Sequence, residues 1–181
     1  MDGTMPSALP IVPMRGDADA GVCARIMSQS EPWITLGRDY ARSLEVMRLP
    51  TQEVHVALDA AGRVSGFIVL IMQGALVGYI RVLAVREDWR SRGVGAALVA
   101  FAEQRIHRQS PNVFLCVSSF NPRGRAFYER LGFESVGELR DFIVAGHSEW
   151  LMRKTIGPLA DFCPAGSTPD GAAAPPFGAP E

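Results

Sequence analysis

The apolar residues of this chain change their spacing several times, and each change marks a new element. Ile11, Val12 and Met14 make a short apolar run that predicts a first strand, and Asp17 stands where a helix N-cap belongs. Ala20, Cys23, Ala24 and Met27 then recur at helical intervals until Pro32 interrupts them. A second helical stretch, Asp39 to Arg48, puts Tyr40, Leu44 and Met47 on one face. The period drops to two at Val54, Val56 and Leu58, which predicts a half-buried strand. Asp59-Ala60-Ala61-Gly62 is a turn, Val64–Met72 the returning arm of a hairpin, and Val77–Val85 a third strand. Leu98, Phe101, Ala102 and Ile106 mark a longer helix, Asn112–Ser118 a buried strand, and Phe127 with Leu131 the inner face of another helix. A last strand is expected at Glu149–Arg153. Strands and helices thus interleave, and the pattern alone leaves α/β and α+β (mixed α/β) both open.

The pattern stops at Pro158. From there the residues are dense in Pro, Gly and Ala and bury too little to offset their ordering entropy. The expected division is one folded domain over 1–157 and a flexible tail over 158–181. With 181 residues, 48% hydrophobic and 20% charged, the composition is that of a globular domain. The net charge of −1 leaves no global basic field to hold nucleic acid or an anionic membrane surface. The most membrane-like stretch, Gly66 to Ile80, is broken at Gln73-Gly74 and Gly78 and falls short of the roughly 18–20 apolar residues of a spanning helix. Cys23, Cys116 and Cys163 are far apart and have no CxxC spacing. A disulfide framework or metal site is therefore not expected, and a reduced, cytoplasmic setting is.

Two segments carry candidate chemistry. After the strand ending Val82-Leu83-Ala84-Val85 comes a charged loop and then Arg90-Ser91-Arg92-Gly93-Val94-Gly95-Ala96, opening a helix. Glycines at a helix start let the backbone approach an oxyanion closely, and the N–H groups and helix dipole favour negative charge there. Arg90 and Arg92 can add charge-assisted contacts. The loop reads as a phosphate or pyrophosphate cradle, or more simply as a turn before a helix. It is no Walker loop, since no Gly-Lys-Ser/Thr follows, and it lacks the third glycine and the distant acid of the dinucleotide fingerprint. In the second segment Asn121 is a good N-cap, Pro122 suits the first helical position and Gly132 the C′ position. Tyr128 lies on another side of that helix from Phe127, where it can be a packed aromatic or an acid.

Together these two segments resemble the GNAT superfamily of acetyl-CoA-dependent N-acetyltransferases. The likeness rests on Arg90-x-x-Gly93-x-Gly95 after an apolar strand and on Asn121-x-x-Gly124-x-x-x-Tyr128-x-x-x-Gly132-Phe133, where the family usually has alanine at the place of Gly124. It covers about Val54 to Lys154. The resemblance implies a GNAT-like acyl-CoA N-acyltransferase fold, with a mostly antiparallel mixed sheet splayed at the cofactor cleft and flanked by helices. It implies acetyl-CoA as co-substrate, its pantetheine paired with the backbone of Leu83, Ala84 and Val85 and its pyrophosphate on the amides of Arg92, Gly93, Val94, Gly95 and Ala96, beside Arg90 and Ser91. Asn121 is expected to contact the cofactor arm and Tyr128 to be the general acid near the thioester sulfur. The partners implied are acetyl-CoA and an amine acceptor that the sequence does not name; a homodimer is compatible with this. A non-catalytic acyl-CoA-binding regulatory module is the alternative.

The chain departs from the family in one respect. Many relatives place a glutamate on the strand Tyr79–Val85 as base, but here the only charged residue of that strand is Arg81. Ordered water, Ser118, Ser119, Glu31, His147 and Glu149 all stay open for deprotonation. His55 and His107 read as structural, Cys116 as a buried thiol, and Trp33 as helix packing or a wall for the acceptor. Arg123 and Arg125 read as solvated charges within reach of the adenosine phosphate.

Overall fold

A computed structural model describes residues 9–166. In chain order the elements are β1 (Ile11–Pro13), α1 (Asp17–Ser28), α2 (Tyr40–Arg48), β2 (Glu53–Leu58), β3 (Val64–Ile71), β4 (Tyr79–Val85), α3 (Val94–Ile106), β5 (Asn112–Ser118), α4 (Pro122–Arg130), β6 (Glu134–Arg140) and β7 (Ser148–Thr155). The strands form one seven-stranded sheet in the order β1-β2-β3-β4-β5-β7-β6, antiparallel throughout except where β4 meets β5. That parallel pair is joined by α3, the crossover that parallel strands require.

The apolar run Phe67-Ile68-Val69-Leu70-Ile71 of β3 sets the layering. Its residues are buried on both faces, as in a strand covered on two sides. Phe67 and Val69 meet Ala20, Cys23 and Met27 of α1 and Val46 and Met47 of α2. Ile68 and Leu70 point the other way, toward Leu98, Val99, Ala102 and Ile106 of α3, in one cluster with Leu115 of β5 and Met152 of β7. The sheet therefore has α1 and α2 on one side and α3 on the other.

Several local expectations change. The N-cap of α1 is Gly16, and Asp17 is the first helical residue, paired with Arg48 at 3.0 Å. The buried face of α2 is Ser43, Val46 and Met47; Tyr40 lies exposed, since the helix enters from a solvent-facing loop capped by Asp39. β2 is buried on both faces, Val56 against the α1 and α2 layer and His55 and Ala57 against the α3 layer. On α3, Val94 and Val99 replace Phe101 in the buried set; Phe101 is half-buried against the His55 ring, 4.7 Å between centroids. Of the expected tail, residues 158–166 include a 3-10 turn at Leu159–Asp161, and Ala165 N–H donates to the Arg108 carbonyl at 3.0 Å. The remainder of the tail lies outside the described residues, in which no helix is long and apolar enough to cross a membrane.

Candidate active site

β4 and β5 pair only at Tyr79–Phe114 and Ile80–Leu115 and then separate. A bulge in β4 shapes this gap. The β3 register jumps from Val69↔Val82 to Leu70↔Ile80, leaving Arg81 as the extra residue. Ile80 consequently faces the α3 layer while Val82 and Ala84 face α1 and α2, although residues two apart share a face in a regular strand. Past the bulge, Arg86 N–H donates to the Ser65 carbonyl at 2.9 Å. By the antiparallel alternation, Ala84 and Val82 bond to β3, and Leu83 and Val85 turn their amides and carbonyls toward the gap. The Arg90 Nε reaches that edge at the Val85 carbonyl, 3.4 Å away.

At the end of β4 the chain makes a 3-10 turn over Glu87–Trp89 and enters α3 through two left-handed residues, Ser91 at φ 60° and Gly93 at φ 83°. Gly93 is the N-cap, and its carbonyl accepts from Ala97 N–H at 3.0 Å. No side chain caps this end and its first turn holds no acid, so the amides of Val94, Gly95 and Ala96 have no helical partner. Arg92 lies over the Trp89 ring at 5.3 Å with Arg86 at 6.0 Å, and Arg86 also pairs with Asp88 at 2.6 Å. Arg90 spans from Val85 to the Ser30 hydroxyl at 3.1 Å. An open groove of about 820 Å³ runs along this side, lined by Ser30, Glu31, Arg86, Arg90 and Arg123.

The far wall comes from α4. Asn121 caps it, its Oδ1 accepting from Gly124 N–H at 3.0 Å, with Pro122 at the first helical position. Two turns on, the Tyr128 ring is held edge-on by Phe127 at 5.0 Å and Phe133 at 5.6 Å. Burial keeps its phenol above the ordinary value of 10. A cavity of about 390 Å³ opens between these walls, lined among others by Tyr79, Leu83, Ser118, Asn121, Tyr128 and Glu149.

Of the side chains left open for deprotonation, only Ser118 and Glu149 line this cavity. Ser118 Oγ donates to Glu149 Oε1 at 2.6 Å, and Glu149 is 3% exposed. Burial raises its carboxyl above the usual range, opposed by the Ser118 bond and by His147. Ser119 is exposed and accepts from Ser148 N–H, Glu31 accepts from Thr35 N–H, and His147 packs on the Phe120 ring. His55 is buried with Nδ1 unpartnered, and His107 places Nδ1 3.1 Å from the Ser110 carbonyl at the end of α3. Cys116 is half-buried beside Tyr79, and burial raises its thiol. Trp33 lines the cavity. Arg125 stacks on Trp150 at 4.5 Å and pairs with Glu129 at 3.0 Å. Tyr79 carries no signal in the sequence because it sits in an apolar strand; only the bulge two residues later puts it on the same face as Val82.

The profile of the acetyltransferase (GNAT) family matches residues 23–133, and the chain belongs to this family. Among solved structures it is similar to an acetyltransferase of the GNAT family from Desulfovibrio desulfuricans, with 19% identity and a TM-score of 0.69 over 83% of this chain and 100% of that one. An aminoglycoside 6'-N-acetyltransferase complexed with coenzyme A gives 21% and 0.67 over 83% and 98%. Arabidopsis thaliana NAA60 in complex with acetyl-CoA gives 19% and 0.65 over 82% and 98%. No curated protein matches the sequence significantly.

Proposed function

We propose that the protein transfers the acetyl group of acetyl-CoA to a primary amine by direct attack within a ternary complex. The observation that carries this is the parting of β4 and β5 after two residue pairs, which leaves the Leu83 amide and carbonyl and the Val85 amide without a strand partner beside the unpaired amides of α3, with the Val85 carbonyl met only by Arg90. An open strand edge suits the amides of a pantetheine arm, and a glycine-lined helix start suits a pyrophosphate. Arg90, Ser91, Arg92, Gly93, Val94, Gly95 and Ala96 form that cradle in this assignment, Leu83, Ala84 and Val85 the strand edge, and Asn121 the contact from α4. The cofactor supplies an acetyl carbon activated as a thioester. The Val85 amide supplies a donor to the carbonyl oxygen, and Tyr128 a proton for the departing sulfur.

The non-catalytic alternative draws on the lack of a carboxylate in β4, whose only charge is Arg81. Thiol release from acetyl-CoA in the presence of amines separates the two. Catalysis requires amine-dependent release, whereas acetyl-CoA binding without release under any amine establishes the module. Failure to bind acetyl-CoA in calorimetry removes both.

A further inference from the structure

Glu149 presents an electrostatic problem that the fold does not solve. It lies on β7 opposite Ser118, on the side of the sheet that faces α1 and α2, almost wholly removed from bulk water. A buried carboxylate is expected to be paired with a cation. Among the described residues Glu149 has none within ion-pair distance. Its one hydrogen bond is from Ser118 to Oε1. The other oxygen is not among the buried orphans, so it opens on the cavity. Around it stand Tyr79 and Cys116, both protonated at neutral pH because burial raises them, and His147 on the adjoining turn. From β6 the residue opposite is Leu139.

The remaining lining has a one-sided character. Pro32, Trp33 and Leu36 from the α1–α2 connection and Phe142 and Ile143 from the β6–β7 turn give apolar walls, and Phe142 and Ile143 are 59% and 42% exposed at the mouth. The other charges lining the cavity are Arg38 and Arg81, and Arg81 is held by the neutral Gln52 at 3.1 Å. One carboxylate against two guanidinium groups suits a single ammonium and repels further cations.

From this juxtaposition we propose that Glu149 receives and deprotonates the acceptor's ammonium, and that the acceptor is a primary monoamine on an apolar body, without a second cationic group. This rests on the acetyl transfer proposed above and names its substrate class. An N–H bond of the ammonium breaks and an Oε–H bond forms on Glu149, which later returns that proton to water. The freed nitrogen pair forms the bond to the acetyl carbon as the carbon–sulfur bond breaks. The sulfur takes a proton from Tyr128, and the second nitrogen proton restores the phenol. Ser118 is a positioning residue that fixes the carboxylate.

The test compares phenethylamine, benzylamine and hexylamine with spermidine and kanamycin as acceptors, using full-length protein and acetyl-CoA. The expected result is a kcat/KM at least tenfold higher for the best monoamine than for either polycation. Glu149→Gln should lower kcat/KM for that amine at least tenfold and flatten the acid limb of its pH profile, leaving acetyl-CoA affinity by calorimetry unchanged. Ser118→Ala should move the acid limb upward in pH with a smaller loss. A fold readout accompanies these. Because burial raises the folded-state pKa of Glu149, its ionised form costs stability above that pKa. Glu149→Gln should therefore melt higher than wild type at pH 8, with the gap closing toward pH 4. A preference for polycations, or wild-type kcat/KM and pH profile in Glu149→Gln, overturns this assignment and leaves acetyl transfer standing. Absence of acetyl-CoA binding overturns both.

Discussion

Gly95 lies against the ring of Phe127. A Cβ at position 95 would stand 3.4 Å from the Phe127 Cζ and 3.8 Å from a Val85 methyl. The first turn of α3 is thus packed between the end of β4 and the inner face of α4. Alanine fits this space at ordinary contact distance, but the branches of valine do not. Gly95→Ala should keep or raise the melting temperature, because alanine favours a helix over glycine by about 1 kcal/mol. Gly95→Val should lose stability by about 1–3 kcal/mol through overpacking and lower acetyl-CoA affinity at least tenfold. Calorimetry showing unchanged affinity in a folded Gly95→Val would remove the α3 terminus from the cofactor site.

The glycine at 124, where the family usually has alanine, bears on Asn121. A Cβ there would fall 2.5 Å from Asn121 Nδ2 and 2.9 Å from its Cγ, so the amide folds back onto its own helix only because position 124 is glycine. Gly124→Ala should expel that side chain toward the cavity. The lost cap costs about 0.5–2 kcal/mol and the helix gains about 1 kcal/mol, so the melting temperature should hardly move. Acetyl-CoA should bind at least twofold more tightly. Unchanged affinity would mark Asn121 as a cap only.

The parts of the site that were legible in the sequence are those made by local chemistry. Gly93, Gly132 and the Asn121–Pro122 pair declare themselves because a left-handed φ or an N-cap depends on one or two residues. What was not legible depends on register. The bulge at Arg81 exists only relative to β3, and Ser118 and Glu149, 31 residues apart, meet only because β5 pairs with β7 at that offset. β6 has no legible pattern at all. It is an edge strand, exposed at Glu134, Ser135 and Val136, and has no clean apolar alternation. The inner face of α2 is only partly legible: Met47 is buried and Leu44 packs beside it, as their spacing predicts. Ser43 is buried there although polar, and Tyr40 exposed although aromatic, which spacing alone does not reveal.

Asp59 ties the β2–β3 turn to the loop that leads into α3. Its Oδ1 accepts from Ala61 N–H at 2.9 Å and Arg63 N–H at 3.0 Å, and its Oδ2 lies 2.9 Å from the Arg63 guanidinium and 3.7 Å from that of Arg86. The Arg63 amide above all holds its carboxyl below the ordinary range. A depressed folded-state pKa adds stability that is present above the unfolded value of about 3.9 and is lost as pH falls through the folded value. Asp59→Asn should therefore melt lower than wild type at pH 7, and the two curves should converge as the buffer is taken below about pH 4. A constant gap across that range would show that the charge is immaterial and only the hydrogen-bond geometry matters.

Tyr128 is the residue on which the proposed chemistry turns. The departing coenzyme thiolate needs a proton or a hydrogen bond, and a phenol whose burial keeps it above its ordinary pKa stays protonated throughout neutral pH. The hydroxyl makes no hydrogen bond among the described residues, so a donor is free on the cavity side. Phe127 and Phe133 clamp the ring edge-on, and Phe133 N–H bonds the Tyr128 carbonyl at 3.0 Å, so the position of the ring does not depend on the hydroxyl. Tyr128→Phe should accordingly fold, melt within a few degrees of wild type and bind acetyl-CoA with unchanged affinity. Acid assistance is worth about 10²–10⁴-fold, so turnover should drop at least tenfold even with water as a partial substitute. The loss should persist with acceptors of lower amine pKa, since it lies in thiolate departure and not in amine deprotonation. Pre-steady-state rates equal to wild type, measured where chemistry limits, would leave amine proximity and the Val85 amide as the main sources of acceleration.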